Sequence, residues 1–322
     1  MLIFNLTLTQ MLMMFLFIAT GILLQKTRIL PDNADMTMSR LQLYVFTPAQ
    51  NFFAMSTHCS VKNFADNAYL IGFGFVIIVA FIVLSYPLSA LFVKDHAKSK
   101  ELSYQRNIYK YALAYGNYSY LANFMILGIW NMDVLFKYSM FKLPLDILCN
   151  TWALSVLIPK GGVAKEPPIK KLLRSFSTPP IIALVAGMIV GLTGLTKYIP
   201  EFVNSAMDNG SKCMGPVAML IAGFVIGRYR LPDLFSSGKI YILSALRLII
   251  LPGALLLLLR LMHASSDVIT FSLLSCAVPI GMNTIVYPAT FGGDTHTGAC
   301  MTMTSSVLAV ITLPLMFLLF IG

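Results

Sequence analysis

Apolar residues in this chain come in long unbroken runs, not in the alternating or three-to-four-residue spacing of a half-buried strand or helix. Ten runs can be marked, at 6–24, 38–55, 69–93, 108–130, 134–158, 180–195, 202–226, 240–261, 268–291 and 298–321. A bilayer core about 30 Å thick takes about 20 helical residues to cross, so each run predicts one membrane-spanning helix. The second and seventh are the most polar, one through Pro48 and Gln50, the other through residues 204–212. The pattern predicts an all-α polytopic membrane protein.

Composition strengthens this reading. Of the 322 residues 57% are hydrophobic and 11% charged, with a mean hydropathy of +0.78, whereas a soluble domain is about 25% charged. The excess apolar surface needs lipid as its solvent, which excludes a water-soluble protein. A formal net charge of +10 raises nucleic acid as a partner, but the basic residues are confined to short strips between runs, where they report orientation instead. Sixteen of the 23 Lys and Arg lie in or at the edges of the loops after odd-numbered runs, five in or at the edges of those after even-numbered runs, and Lys142 and Arg247 fall deeper inside runs. The positive-inside rule then puts the odd loops in the cytoplasm and both termini on the outer side of the cell (inner) membrane. The first run is followed by Gln25 and Lys26, not by a small-residue cleavage site, so it reads as a retained span. Cys59, Cys149, Cys213, Cys276 and Cys300 are too dispersed for a disulfide framework or a zinc site, and no cofactor is implied.

Prolines mark an internal repeat. A proline inside a membrane helix removes a hydrogen bond and kinks it, and Pro48, Pro87 and Pro144 recur as Pro216, Pro252 and Pro314, at offsets of 168, 165 and 170. Two halves of five helices follow, 1–158 and 179–322, joined by a basic cytoplasmic linker at 159–178. An odd number of spans per half inverts the second half relative to the first, which is a transporter architecture with its site near the midplane at broken helices. Spans four and nine are where breaks are expected. Span nine carries Pro279, Gly281 and Asn283 in an apolar run; span four carries Gly116, Asn117 and Ser119 in the equivalent place. Two half-helix N-termini and two amide side chains at one point suit an anion, since each end carries roughly +0.5 charge and free N–H groups. The competing reading makes Asn117 and Asn283 caps for freed backbone groups.

The segments GILLQKTRIL, VFTPAQNFF, GPVAMLIAGFVIG, LRLIILPGALLLL, VPIGMNTIV and SSVLAVITLPL, in that order, resemble the auxin efflux carrier family, which includes plant PIN-type carriers and bacterial malonate or malate transporters. The resemblance implies a ten-helix inverted-repeat fold like that of bile-acid symporters and sodium/proton antiporters, with spans four and nine crossing at their breaks. It also implies carriage of organic anions, and places the family's ninth-span Pro and Asn on Pro279 and Asn283 and its fourth-span Asn on Asn117. This sequence departs from the family after Asn117: Tyr118 and Ser119 replace Thr-Gly, and Phe124 stands where a proline is usual.

Lys142, Asp146 and Asn150 share one face of span five. Asp146 is the candidate carrier of a coupling proton and Lys142 its counter-ion or an attractor of the anion; a fixed ion pair beside Pro144 is the alternative. Arg247 is expected to snorkel to the cytoplasmic surface, Thr302, Thr304, Ser305 and Ser306 to satisfy backbone groups, and His263, Asp294 and His296 to lie in outer loops. The Gly187/Gly191 pair marks close helix packing. An enzyme is disfavoured because no His falls in a span and no nucleophile–base motif is present. The expected function is secondary transport of a small carboxylate such as malonate or malate, with protons as a candidate partner and a homodimer as a candidate assembly. A cation-coupled symporter or antiporter of the same fold and a non-transporting polytopic receptor are the alternatives.

Overall fold

The computed structural model describes residues 2–94, 98–157, 159, 177–291 and 293–321. Residues 160–176, most of the expected linker, lie outside it. The first half runs α1 (Leu2–Lys26), α2 (Ala34–Leu41), a π-helical segment at Gln42–Phe46, α3 (Thr47–His58), α4 (Val61–Asn67), α5 (Tyr69–Phe92), α6 (Lys100–Ala114), α7 (Tyr120–Ile129), α8 (Met132–Leu148), a π segment at Cys149–Ala153, and α9 (Leu154–Leu157). The second half runs α10 (Pro179–Thr193), α11 (Glu201–Ile226), α12 (Leu231–Leu234), α13 (Gly238–Ala245), a π segment at Leu246–Ile250, α14 (Leu251–Leu261), α15 (Ser266–Cys276), α16 (Asn283–Phe291) and α17 (His296–Phe320). Ser60, Ser99, Asn131 and Ser265 start α4, α6, α8 and α15 by accepting a backbone N–H three residues on.

All ten apolar runs are helical. Among the described residues, six stretches are long and apolar enough to cross a membrane: Asn5–Lys26, Val61–Phe92, Met132–Leu157, Glu201–Ile226, Gly238–Leu261 and His296–Phe320. The other four runs fall short for identifiable reasons. Ala34–His58 is long enough but too polar, carrying Asp35, Arg40, Gln42, Gln50 and Asn51. The 15 residues of α10 extend only about 22 Å at 1.5 Å each. Spans four and nine are each cut into two shorter helices, α6 with α7 and α15 with α16. Pro48 and Pro252 each lie just after a π segment inside a continuous helical stretch, where the wider turn accommodates the missing N–H.

Buried and lipid-type surfaces divide the helices into groups. α1 packs along α11, and α3 along α10 and α11; α5 packs against α6 and α8, and α14 against α15. Leu16, Val76 and Ile311 remain exposed on outer faces, as lipid-facing positions do. The first group packs backbone to backbone. A Cβ at Gly187 would stand 2.6 Å from the Phe52 carbonyl oxygen, one at Gly191 2.7 Å from that of Met55, and one at Gly223 would overlap the Ile18 carbonyl. Small residues admit this approach, the usual basis of helix association in lipid.

Gly191→Leu is expected to lose about 1–3 kcal/mol of stability through overpacking against α3, while Gly72→Ala, where a Cβ meets nothing within 4 Å, changes little. Thermal melting of the detergent-purified proteins checks the contrast.

Candidate functional site at the paired helix breaks

α6 stops because Gly116 and Asn117 are poor helix residues, and Tyr115 leaves the helix with φ −119° and ψ 127°. α15 stops ahead of Pro279, which lacks an N–H and disfavours helical backbone in the residue before it. The two breaks meet. Gly116 and Ile280 form an antiparallel bridge, and the Asn117 N–H donates to the Pro279 carbonyl at 2.7 Å. The approach demands glycine on both sides: a Cβ at Gly281 would lie 2.9 Å from the Gly116 oxygen, and one at Gly116 would lie 2.9 Å from the Val278 oxygen.

Each break is held by a different neighbour. On the first, Tyr118 Oη donates to Asp146 Oδ1 at 2.8 Å, Tyr138 Oη to the Tyr118 carbonyl at 2.6 Å, and Tyr115 Oη to the Leu145 carbonyl at 3.3 Å, all reaching α8. On the second, Ser305 Oγ of α17 accepts the Ile280 N–H at 3.0 Å, and Thr302 and Thr284 hydroxyls meet at 3.2 Å. The hydroxyls of span ten therefore do satisfy backbone groups, as their chemistry suggests. Farther along α7, Asn123 Nδ2 donates to Gln50 Oε1 of α3 at 2.7 Å in a buried pair, which accounts for the glutamine that makes the second run polar.

A cavity of about 120 Å³ opens on one side of the bridge. Since a water needs only about 10–15 Å³ on this measure, it has room for several waters or one small solute. Gly116, Asn117, Ser119, Gly281 and Asn283 line it from the breaks, Lys142, Asp146 and Cys149 from the α8 side, Thr47, Asn51, Pro180 and Ile181 from α3 and α10. It thus lies between the α3/α10 wall and the crossover. Tyr120 and Asn283, the first residues of α7 and α16, both face it. Asn117 Oδ1 accepts the Leu121 N–H at 3.4 Å, a local backbone bond of the kind the capping reading predicts, whereas Asn283 Nδ2 donates to the distant Cys149 Sγ at 3.4 Å. Pro279 contributes its carbonyl to the bridge instead of lining the cavity. Asn150 belongs to the π segment after α8, and its side chain is outside the described residues. Lys142 is buried and acts electrostatically on Asp146.

Residues 162–317 fit the family model described as membrane transport protein, the membrane transport domain of auxin efflux carriers. No curated protein matches the chain. The match indicates a membrane transporter, and the matched stretch contains Pro279, Gly281 and Asn283; Gly116, Asn117, Ser119, Lys142 and Asp146 precede it and join the site through the fold. Phe124, the departure from the usual proline, lets α7 run unbroken and packs where Gly215 of α11 leaves room for its ring.

Three placements depart from the sequence reading. Arg247 does not snorkel: it is 0% exposed and sits behind the crossover, its Nη2 donating to the Ser275 carbonyl at 3.2 Å. Asp294 and His296 are not at the same end of the bundle as His263. The Tyr229 hydroxyl bonds Thr295 at 2.8 Å and its ring meets His296 at 5.8 Å, so both lie with the loop that follows span seven. Finally, Tyr111, Tyr118, Tyr120 and Tyr287 line the cavity. Five tyrosines within 109–120 were the available signal.

Asn123→Ala, which strands Gln50 without its donor, is expected to cost about 1–3 kcal/mol, whereas Gln50→Leu with Asn123→Leu should be nearly neutral. A double-mutant cycle on melting temperature reads the difference.

Proposed function

We propose that the chain is a secondary transporter that moves a small organic anion, a carboxylate such as malonate or malate, across the cell membrane by alternating access. The observation that carries this reading is the meeting of two helix N-termini, those of α7 and α16, at the cavity that Asn117, Asn283 and Lys142 line. Each end offers roughly +0.5 charge and free N–H groups, and the amides add donors that fix orientation. Ser119 and Gly116 on one break and Gly281 on the other shape the pocket, with Pro279 holding the break in place.

In this reading the ten helical runs are ten spans in two inverted repeats of five, 1–158 and 179–322, with the 159–178 linker in the cytoplasm and both termini outside. The proline offsets and the equivalent positions of the two breaks support it. The cavity's place between the α3/α10 wall and the crossover suits rocking of one bundle against the other. Coupling to protons is a second element, favoured by one observation: Asp146, from span five, reaches the first break through Tyr118, so the site has the half-buried acidic residue that neither break supplies. A homodimer is compatible with the same mechanism.

Malonate binding to purified protein, followed by thermal shift and calorimetry, tests the anion reading. Losing one hydrogen bond to a charged ligand costs about 1.5–3 kcal/mol, so Asn117→Ala and Asn283→Ala are each expected to weaken binding roughly ten-fold or more; two folded variants with wild-type affinity would reduce both amides to capping groups.

For coupling, Asp146→Asn keeps the shape and removes the charge. Uptake into proteoliposomes driven by an imposed pH gradient is expected to collapse in this variant; uptake at the wild-type rate would remove Asp146 from the coupling step. Orientation is read separately on a cysteine-free background, where Lys62→Cys should label from outside intact cells and Glu166→Cys should not.

A further inference from the structure

Arg247 poses a problem that the anion site alone leaves open. Its guanidinium is completely buried, and Nε and Nη1 have no hydrogen-bond partner among the described residues. Among the described residues, the groups that act on it electrostatically are Cys276 and Tyr111, and no carboxylate is one of them. Phe81 of α5 faces it at 5.6 Å, and a Cβ at Gly116 would stand 2.7 Å from Nη2, so the cation lies one atom's thickness behind the bridge. A buried, unpaired charge is expensive and calls for a compensating interaction.

That interaction is available at the ends of the broken helices. Every break supplies one positive N-terminal and one negative C-terminal pole, each about half a charge, so the four poles of α6, α7, α15 and α16 sum to roughly nothing. Lys142 and Asp146 cancel as well when Asp146 is ionised. What is left is Arg247, whose Nη2 bonds the Ser275 carbonyl in the last turn of α15. We infer that Arg247 fixes the sign of charge the crossover accepts: it offsets the C-terminal poles from behind the bridge, leaving the N-terminal poles of α7 and α16 unopposed on the cavity side. It is a positioning residue that acts through the half-helices and does not touch the solute. The inference rests on the proposed anion site, and goes beyond it by naming the charge that makes the site net positive.

Cys149 lines the cavity and serves as a probe that needs no substrate. With Cys59, Cys213, Cys276 and Cys300 replaced by Ala, Cys149 is modified by an anionic sulfonate-bearing and by a cationic trimethylammonium-bearing methanethiosulfonate of equal length. The ratio of the two rates reports the sign of the local potential, which a purely structural role for Arg247 would not move. Arg247→Gln is expected to lower the anionic-to-cationic ratio by about ten-fold, the worth of a unit charge across a helix width at a buried site, and Arg247→Lys to retain it. Phe81→Glu, which keeps the guanidinium and cancels its charge, should lower the ratio too. An unchanged ratio in folded Arg247→Gln, or in Phe81→Glu if the first variant does not fold, overturns the inference. Because malonate is absent from this measurement, failure of malonate to bind would sink the transport reading without altering the ratio, and the two failures stay distinct.

Discussion

A peptide group stranded at the middle of a bilayer has no water to turn to, and each unsatisfied one costs several kcal/mol. Two helices broken at that depth can exist only if the freed backbone finds partners inside the protein. Here the breaks find one another, through the Gly116–Ile280 bridge and the Asn117-to-Pro279 hydrogen bond. The absence of side chains at Gly116 and Gly281 is a condition of that contact, not an incidental feature of it. Once the breaks are paired, the N-terminal ends of α7 and α16 have no choice but to face the same small volume.

The two halves reach this state with different chemistry at corresponding positions. Span five holds the first break through aromatic hydroxyls and the Asp146 carboxylate; span ten holds the second with Ser305 and Thr302. Aliphatic hydroxyls are short and bond at close range, so α17 lies tight against its break. Tyrosines reach farther, and the α8 side contributes Lys142, Asp146 and Cys149 to the cavity between the crossover and the α3/α10 wall. The two breaks are thus supported by side chains of different length.

Much of this was legible in the sequence, and for a physical reason: lipid imposes long apolar runs, so the ten helical segments and the glycine, proline and asparagine interruptions of spans four and nine stood out against them. Gln50 looked like a defect in a weak span and is a buried partner of Asn123. Arg247 was misread because its depth along the helix is compatible with snorkelling; whether it reaches the surface depends on Phe81 and Gly116, neither of which is near it in sequence. The π segments beside Pro48 and Pro252 were invisible for a similar reason, since a proline reports a missing bond but not how the helix relaxes around it. Cavity shape depends on tyrosine rotamers, which no spacing argument supplies.

The glycine contacts of the α1/α11 and α3/α10 pairs have a mechanical consequence. Where backbone meets backbone there is no intervening layer of side chains to change rotamer, and close-packed contacts compress little. The opposite wall of the cavity is joined by rings and single hydroxyls that can tilt about their own bonds. The two walls therefore differ in stiffness, and a solute entering between them meets a hard surface on the α3/α10 side and a compliant one at the crossover, so the displacement that makes room for it falls on the tyrosine-bearing side.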